Sequence, residues 1–175
     1  MKRILYLGLL FLMGCSYINH KILVSKKEFL GNALLVPKHT PVPIYNFYKG
    51  NVIGYAINDT VTESYAIITI ADIKNSFAKV VIDYPLENNR QQKGWIKTKH
   101  LGIHLTFGAE PINVMSQPNS SAKIAFTIDN PQWGDFYPII DAYDGWLYIQ
   151  NINNPKEFGW LAPEFQCDNP YTVCC

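Results

Sequence analysis

An internal repeat constrains the fold of this chain more than any other feature of its sequence. The eleven residues from Ile70 to Val80 align with Ile139 to Ile149 at a constant offset of 69 residues. Further along the chain, Gly94-Trp95-Ile96 aligns with Gly159-Trp160-Leu161 at an offset of 65. A repeated segment of this size indicates one supersecondary unit that is present twice. The chain is therefore predicted to contain two copies of one small unit.

The residues within the repeat predict that each unit is built from β-strands. Short runs rich in Val, Ile, Tyr and Phe alternate with turn residues, and no long helical periodicity is present. Upstream, Pro43-Ile44-Tyr45 is aligned with Pro111-Ile112-Asn113 as the first strand of each copy. With 175 residues, of which 48% are hydrophobic and 17% charged, the chain has enough apolar material for a packed core. The expected fold class is all-β, as small barrels or a sandwich.

The second copy resembles the bacterial SH3-like (SH3b) domain. Ile112 to Pro118 resembles the opening strand and proline turn of the family, Gly134-Asp135 the turn before the central strand, Asp144 to Ile149 a hairpin, and Gly159-Trp160-Leu161 the closing strand. The first copy has Ser76-Phe77 in place of Gly-Trp, Tyr65-Ala66 in place of Gly-Asp, and no proline turn. The resemblance implies two small SH3-like β-barrels in tandem, a degenerate one over 40–105 and a second over 106–175 with a cysteine-containing tail.

The N-terminus has the pattern of an export signal. Met1-Lys2-Arg3 precedes the apolar run Ile4 to Met13, which is too short to span a bilayer. The following Gly14-Cys15 resembles the bacterial lipobox, which implies cleavage after residue 14 and a lipid on Cys15. Residues 15–39 then form a tether and lead-in segment, and the protein is expected at the bacterial cell envelope, on the periplasmic or outer-membrane face. The alternative is an ordinary secretory signal with a chance cysteine.

Export changes the meaning of the three remaining cysteines, because disulfides form in oxidising compartments. Cys167 can form a staple with either Cys174 or Cys175 around a short turn, which leaves the third cysteine over. A zinc site is the alternative, but it lacks a fourth ligand nearby. We expect the disulfide and no metal site.

Charge and composition exclude several classes of function. The formal net charge is +1, and Arg3 and Arg90 are the only arginines, so no nucleic-acid partner is expected. Residues 106–175 carry two lysines and eight acidic residues, a balance of −6, whereas residues 40–105 have a balance of +2. No cysteine with a downstream histidine suits a papain-like amidase. His100 and His104 are interpreted as exposed linker histidines, and Asp141 and Asp144 as turn residues. We expect no catalytic residues and no cofactor.

Aromatic side chains are the candidates for ligand binding. Trp133 lies in a polar loop and Tyr143 in a turn, and both are predicted to line a groove, together with Trp146 and Trp160 and with Tyr45 and Trp95 of the first copy. Packing in a small core is the alternative role of Trp95, Trp146 and Trp160. The resemblance implies a lipid-anchored, non-catalytic module that binds peptidoglycan or a wall-derived peptide. The alternative is a protein-interaction lipoprotein, such as an inhibitor, an immunity factor or an accessory subunit of an envelope complex.

Overall fold

The structure is a computed structural model that describes residues 29–36, 40–88, 90–106, 111–132 and 134–171. These residues form thirteen β-strands and two short 3-10 helices (Thr98–His100 and Pro163–Phe165), with no α-helix. The strands are β1 (Gly31–Leu35), β2 (Val42–Tyr45), β3 (Val52–Ala56), β4 (Ile67–Lys74), β5 (Phe77–Tyr84), β6 (Arg90–Lys97), β7 (Leu101–Leu105), β8 (Ile112–Met115), β9 (Ile124–Ile128), β10 (Tyr137–Tyr143), β11 (Trp146–Gln150), β12 (Phe158–Leu161) and β13 (Gln166–Cys167). The predicted all-β class is confirmed.

The strands form one antiparallel sheet whose order has an internal symmetry. It runs β3-β2-β6-β5-β4-β1-β7-β10-β11-β12-β8-β9, and β13 pairs with β7. Outward from β1 and β7, the strands β4-β5-β6-β2-β3 on one side correspond to β10-β11-β12-β8-β9 on the other. We call β2–β6 the first repeat and β8–β12 the second repeat.

The pairing registers reproduce the offsets found in the sequence. A β-bulge lies between Ile70 and Asp72 in β4, and an equivalent bulge lies between Ile139 and Asp141 in β10. Trp95 of β6 pairs with a residue of β5, and Trp160 of β12 pairs with the equivalent residue of β11. Offsets of 69 and 65 therefore describe equivalent positions in space as well as in sequence.

The alignment of the first strands needs a correction. Tyr45 pairs with Trp95, and Met115 pairs with Trp160, so Tyr45 is equivalent to Met115 and not to Asn113. The correct offset there is 70 residues. The sequence alignment was wrong because it matched the Pro-Ile dipeptide that both segments contain. In the sheet, buried and more exposed residues alternate along β2 and β8, and the two strands match when they are aligned by their pairing register.

Strands β1 and β7 lie between the two repeats in the sheet. The first residues of β7, Leu101 and Gly102, pair with β1, which in turn pairs with β4. Gly102 and Ile103 also pair with β10 on the other side, and His104 and Leu105 pair with β13. Strands β1 and β7 therefore connect the sheet of the first repeat directly to that of the second.

The predicted pair of separate closed barrels is not confirmed. In the described residues the sheet runs through β1 and β7 from one repeat to the other, it ends at β3 and β9, and it does not close. The lead-in segment contains a full strand, β1, in its last part. The signal peptide and Cys15 lie outside the described residues, and no helix in the described part is long and apolar enough to cross a membrane.

A single apolar core joins the two repeats. Alternate residues of each strand point inward, as Ile68 and Ile70 do in β4 and Ile139 does in β10, and all three are inaccessible to solvent. The buried side chains of both repeats form one continuous cluster. At the other end of the chain, the Tyr171 hydroxyl donates to the Tyr65 carbonyl oxygen at 2.8 Å and accepts from the Tyr65 amide at 2.7 Å. The C-terminal segment is thereby tied to the first repeat.

A tight hairpin joins two neighbouring strands of the outer face in each repeat. Asn75 and Ser76 join β4 to β5 with φ of 49° and 63°, and Asp144 and Gly145 join β10 to β11 with φ of 46° and 87°. Positive φ at both central residues is the geometry of the type I′ turns that match strand twist. The second hairpin is fixed further, because the Gly145 amide donates to the Leu30 carbonyl oxygen at 2.9 Å.

Candidate functional site

The outer face of the second repeat carries a continuous set of aromatic side chains. Tyr148 of β11 lies between Phe158 and Trp160 of β12, with ring centroids 6.1 Å and 5.1 Å away. Tyr143 pairs with Trp146 across the hairpin, one row further along the same face. Tyr143 is 60% exposed, and the other four side chains are half-buried: Trp146, Tyr148, Phe158 and Trp160. The face presents ring surfaces to solvent along two adjacent strands.

A cleft of about 390 Å³ opens at the end of this aromatic face, where the two repeats meet. Tyr143, Trp160 and Pro118 of the second repeat form the apolar side of the cleft. Asp72 and Asp141 also line the cleft. The cleft therefore combines flat apolar surfaces with hydrogen-bond acceptors, which is the usual composition of a site for small or extended ligands.

The two aspartates occupy equivalent places in the fold. Asp72 follows the β-bulge of β4, and Asp141 follows the bulge of β10, and bulges redirect the side chains beside them. Asp141 also accepts a hydrogen bond from the Ala142 amide at 2.9 Å, which orients its carboxylate. Both aspartates are exposed, so their oxygens are available to the hydroxyl or ammonium groups of a ligand.

The first repeat carries a different aromatic cluster at the equivalent place. Tyr45 contacts Phe77 edge to face, with centroids 5.5 Å apart, and Tyr48 contacts Trp95 at 6.0 Å. The ammonium of Lys74 lies over the Tyr48 ring, 4.6 Å from its centroid. Lys74 occupies the position that Tyr143 has in the second repeat, and Tyr48 lies in the loop after β2 as Pro118 lies in the loop after β8. In the first repeat these side chains pack on each other.

The predicted aromatic residues thus separate into two groups. Tyr143, Trp146 and Trp160 lie together on the outer face of the second repeat, and Tyr143 and Trp160 also line the cleft. Tyr45 and Trp95 form part of the separate cluster on the first repeat. Trp133 lies outside the described residues, so its role stays a prediction.

Several residues of the site were missed in the sequence. Tyr148 and Phe158 extend the aromatic face. Each lies two residues along its strand from Trp146 or Trp160, and residues two apart on a strand point to the same face, so this spacing would have indicated both. The interpretation of Asp141 as a turn residue is wrong, because it lies within β10 after the bulge and lines the cleft. Asp72 was aligned with Asp141 in the repeat, but alignment alone does not indicate that both aspartates line one cleft. Pro118 was recognised only as a turn residue.

The histidine and cysteine predictions have mixed outcomes. His104 is not an exposed linker residue, because it lies in β7, where its Nδ1 is 2.8 Å from the Asp135 carbonyl oxygen and its ring packs on Phe136. Cys167 is buried in β13, and Cys174 and Cys175 lie outside the described residues, so the pairing of the cysteines stays a prediction. Within the described ranges no group of three histidine, cysteine or acidic side chains could hold a metal ion.

Comparison with known proteins adds no assignment: no family model and no curated protein matches this sequence. The function has to be inferred from the geometry of the chain itself.

Proposed function

We propose that this protein is a non-catalytic binding module of the bacterial cell envelope, anchored by a lipid on Cys15. In this proposal the two repeats are SH3-like modules that β1 and β7 join, and they bind peptidoglycan or a wall-derived peptide. The observation that carries the proposal is the cleft, which is lined by Tyr143 and Trp160 together with Asp72 and Asp141. The SH3b resemblance of the second copy supports the same assignment.

The chemistry of the cleft suits the components of a cell wall. Sugar rings have apolar faces that stack on aromatic side chains, and their hydroxyl groups donate hydrogen bonds to carboxylates. The amino groups of wall peptides are cations, which the same carboxylates attract. The aromatic face of β11 and β12 continues from the cleft and provides a surface for an extended chain.

Co-sedimentation with purified peptidoglycan tests this proposal. The purified protein is kept in mild detergent, because the proposed acyl chains would otherwise cause it to aggregate, and a sample without peptidoglycan controls for pelleting. We expect pelleting that persists at physiological salt, since contacts between aromatic rings and sugars are not screened. Tyr143→Ala should weaken binding about tenfold, and Trp133→Ala tests the loop residue predicted from sequence.

Tyr55→Ala is the matched control for Tyr143→Ala. Tyr55 is 55% exposed on β3 of the first repeat and lies outside the cleft, so its loss should leave pelleting unchanged. Equal binding by the Tyr143→Ala variant and the unmodified protein would exclude the cleft as the binding site. No pelleting of the unmodified protein at any salt concentration would exclude peptidoglycan.

One observation favours the alternative of a protein partner. β3 is an edge strand that carries no charged residue or proline, and it exposes the side chains of Val52, Ile53 and Tyr55. Natural edge strands usually carry such residues to prevent pairing with other chains. A partner strand could therefore add to β3, as an inhibitor, an immunity factor or an accessory subunit would require. Affinity capture from envelope extracts that is lost in Ile53→Lys would support this alternative.

A further inference from the structure

The outer faces of the two repeats carry different chemistry at equivalent positions. In the first repeat this face has four lysines, Lys74, Lys79, Lys93 and Lys97. The equivalent residues of the second repeat, at the offsets established above, are Tyr143, Tyr148, Phe158 and Ala162. The strand pairing is the same in both repeats, so the backbone does not require lysine at any of these positions. We call the four-lysine surface the lysine face.

The register of the strands determines how the lysines are arranged. Lys74 and Lys97 both flank Phe77 in one row across β4, β5 and β6. Strands lie about 4.8 Å apart, so these two lysines start about 10 Å apart on the sheet. Lys79 pairs with Trp95 in the next row, and Lys93 pairs with Val81 in the row beyond. The four lysines therefore surround the Phe77 and Trp95 side chains.

Aromatic rings support two of these ammonium groups. Lys74 Nζ lies 4.6 Å from the Tyr48 centroid, and Lys97 Nζ lies 5.9 Å from the Phe77 centroid. The rings are themselves packed, and Phe77 is only 7% exposed beneath Tyr45. Packing of this kind restricts the lysine side chains and lowers the entropy lost when a ligand orders them.

The lysines have no carboxylate partners in the described part of the chain. The single ion pair between described side chains joins Arg90 and Glu87, away from this surface. The lysine face includes two carboxylates: Asp72 lies in the row of Lys79, and Asp83 accepts a hydrogen bond from Gln91 at 2.8 Å. Four lysines against two aspartates leave an excess of two positive charges. An anionic ligand would offset this mutual repulsion.

We propose that the lysine face is a second ligand site, which binds a linear acidic polysaccharide. The anionic groups of the polymer would contact the lysines, while its sugar rings lie on Trp95 and Tyr45. A lipid surface fits less well, because Tyr45 and Trp95 are half-buried and pack on Phe77 and Tyr48. The lysine face adjoins the cleft, because Asp72 belongs to both, but none of the four lysines lines the cleft. The proposal does not depend on the assignment of peptidoglycan.

Calorimetric titration with galacturonate oligomers, which are linear sugars with one carboxylate per ring, tests the site. Neutral dextran oligomers of the same length and inorganic polyphosphate are the comparison probes. We expect the galacturonate oligomer to bind at low salt, with an affinity that falls as salt is added, and dextran not to bind. The double variant Lys79→Ala/Lys93→Ala removes two exposed lysines and should weaken binding about tenfold or more.

The double variant Lys123→Ala/Lys156→Ala is the matched control, because it removes two exposed lysines from the second half of the chain. Its affinity for the oligomer should stay within about twofold of the unmodified protein. Equal loss in both double variants, or no binding of the oligomer at low salt, would overturn the site. Binding of polyphosphate without binding of the oligomer would overturn the polysaccharide assignment. None of these outcomes affects the Tyr143-dependent pelleting with peptidoglycan.

Discussion

At the scale of single residues, the two equivalent hairpins differ in how well their turn residues suit the backbone. Ser76 has a φ of 63° at the position where the second repeat has Gly145, with a φ of 87°. A residue with a Cβ pays about 1–2 kcal/mol in this left-handed region, whereas glycine does not. Glycine also increases the conformational entropy of the unfolded chain, which offsets part of this gain. We predict that Ser76→Gly raises the free energy of unfolding by about 0.5–1 kcal/mol in total. Urea denaturation measures this change, with Gly145→Ala as the opposite variant, which should be destabilising; a loss of stability in Ser76→Gly would contradict the argument.

Also at this scale, one buried tyrosine predicts how stability depends on alkaline pH. Burial raises the pKa of Tyr137 to about 12, and the nearby Asp135 carboxylate adds to the shift. The folded state thus favours the protonated phenol. The resulting contribution to the free energy of unfolding is complete below pH 10 and is lost as pH rises from about 10 to 12. The loss is on the order of 2–3 kcal/mol. Urea midpoints from pH 8 to 12 should fall less steeply in Tyr137→Phe than in the unmodified protein. Tyr55→Phe, at an exposed tyrosine, should retain the full fall, and equal slopes in both variants would contradict the assignment.

At the scale of elements, strand β7 depends on a glycine for its contact with the second repeat. A Cβ on Gly102 would overlap the ring of Phe136, which also packs edge to face on His104 at 5.2 Å. Gly102→Ala should therefore displace this ring and lower the free energy of unfolding by about 1–3 kcal/mol. Gly54→Ala is the control, because the nearest atom to its Cβ would be 4.0 Å away. The control should be neutral or stabilising by up to about 1 kcal/mol, and a similar loss in both variants would mean that Phe136 is not the cause.

The elements also indicate which features the sequence could predict. The hairpins, the bulge-containing strands and the tryptophan pairing follow from local turn residues and a repeat with a fixed offset, so these were predictable. The connection through β1 and β7 was not, because Leu101–Leu105 has no signal that distinguishes the end of one unit from the start of the next. For the same reason the cleft was found only in part. Tyr143 and Trp160 were predicted as aromatic candidates, but the approach of Asp72 from the first repeat depends on how β1 and β7 join the repeats.

At the scale of the whole molecule, the two repeats are joined in three ways that separate domains would not share. Strands β1 and β7 join them into one sheet, their buried side chains form one cluster, and the Tyr171 hydroxyl bonds the backbone of Tyr65 from the far end of the chain. Unfolding the first repeat would remove the partner of β1, unfolding the second would remove a partner of β7, and either event would expose apolar surface of the other repeat. The free energy of that exposed interface couples the two repeats.

We therefore predict that the molecule unfolds in one cooperative transition, although its sequence contains two copies of a small unit. Far-ultraviolet circular dichroism, which follows all strands, should give the same urea midpoint as tryptophan fluorescence. The variant Trp95→Phe leaves Trp133, Trp146 and Trp160, which all follow the first repeat in the chain, whereas the triple variant Trp133→Phe/Trp146→Phe/Trp160→Phe leaves Trp95 of the first repeat. Within each variant the two methods should still agree. Fluorescence midpoints that differ between these two variants would show that the repeats unfold independently. In that case the connection of the repeats through β1 and β7 would contribute little to stability, and the Gly102→Ala variant should shift only one of the two transitions.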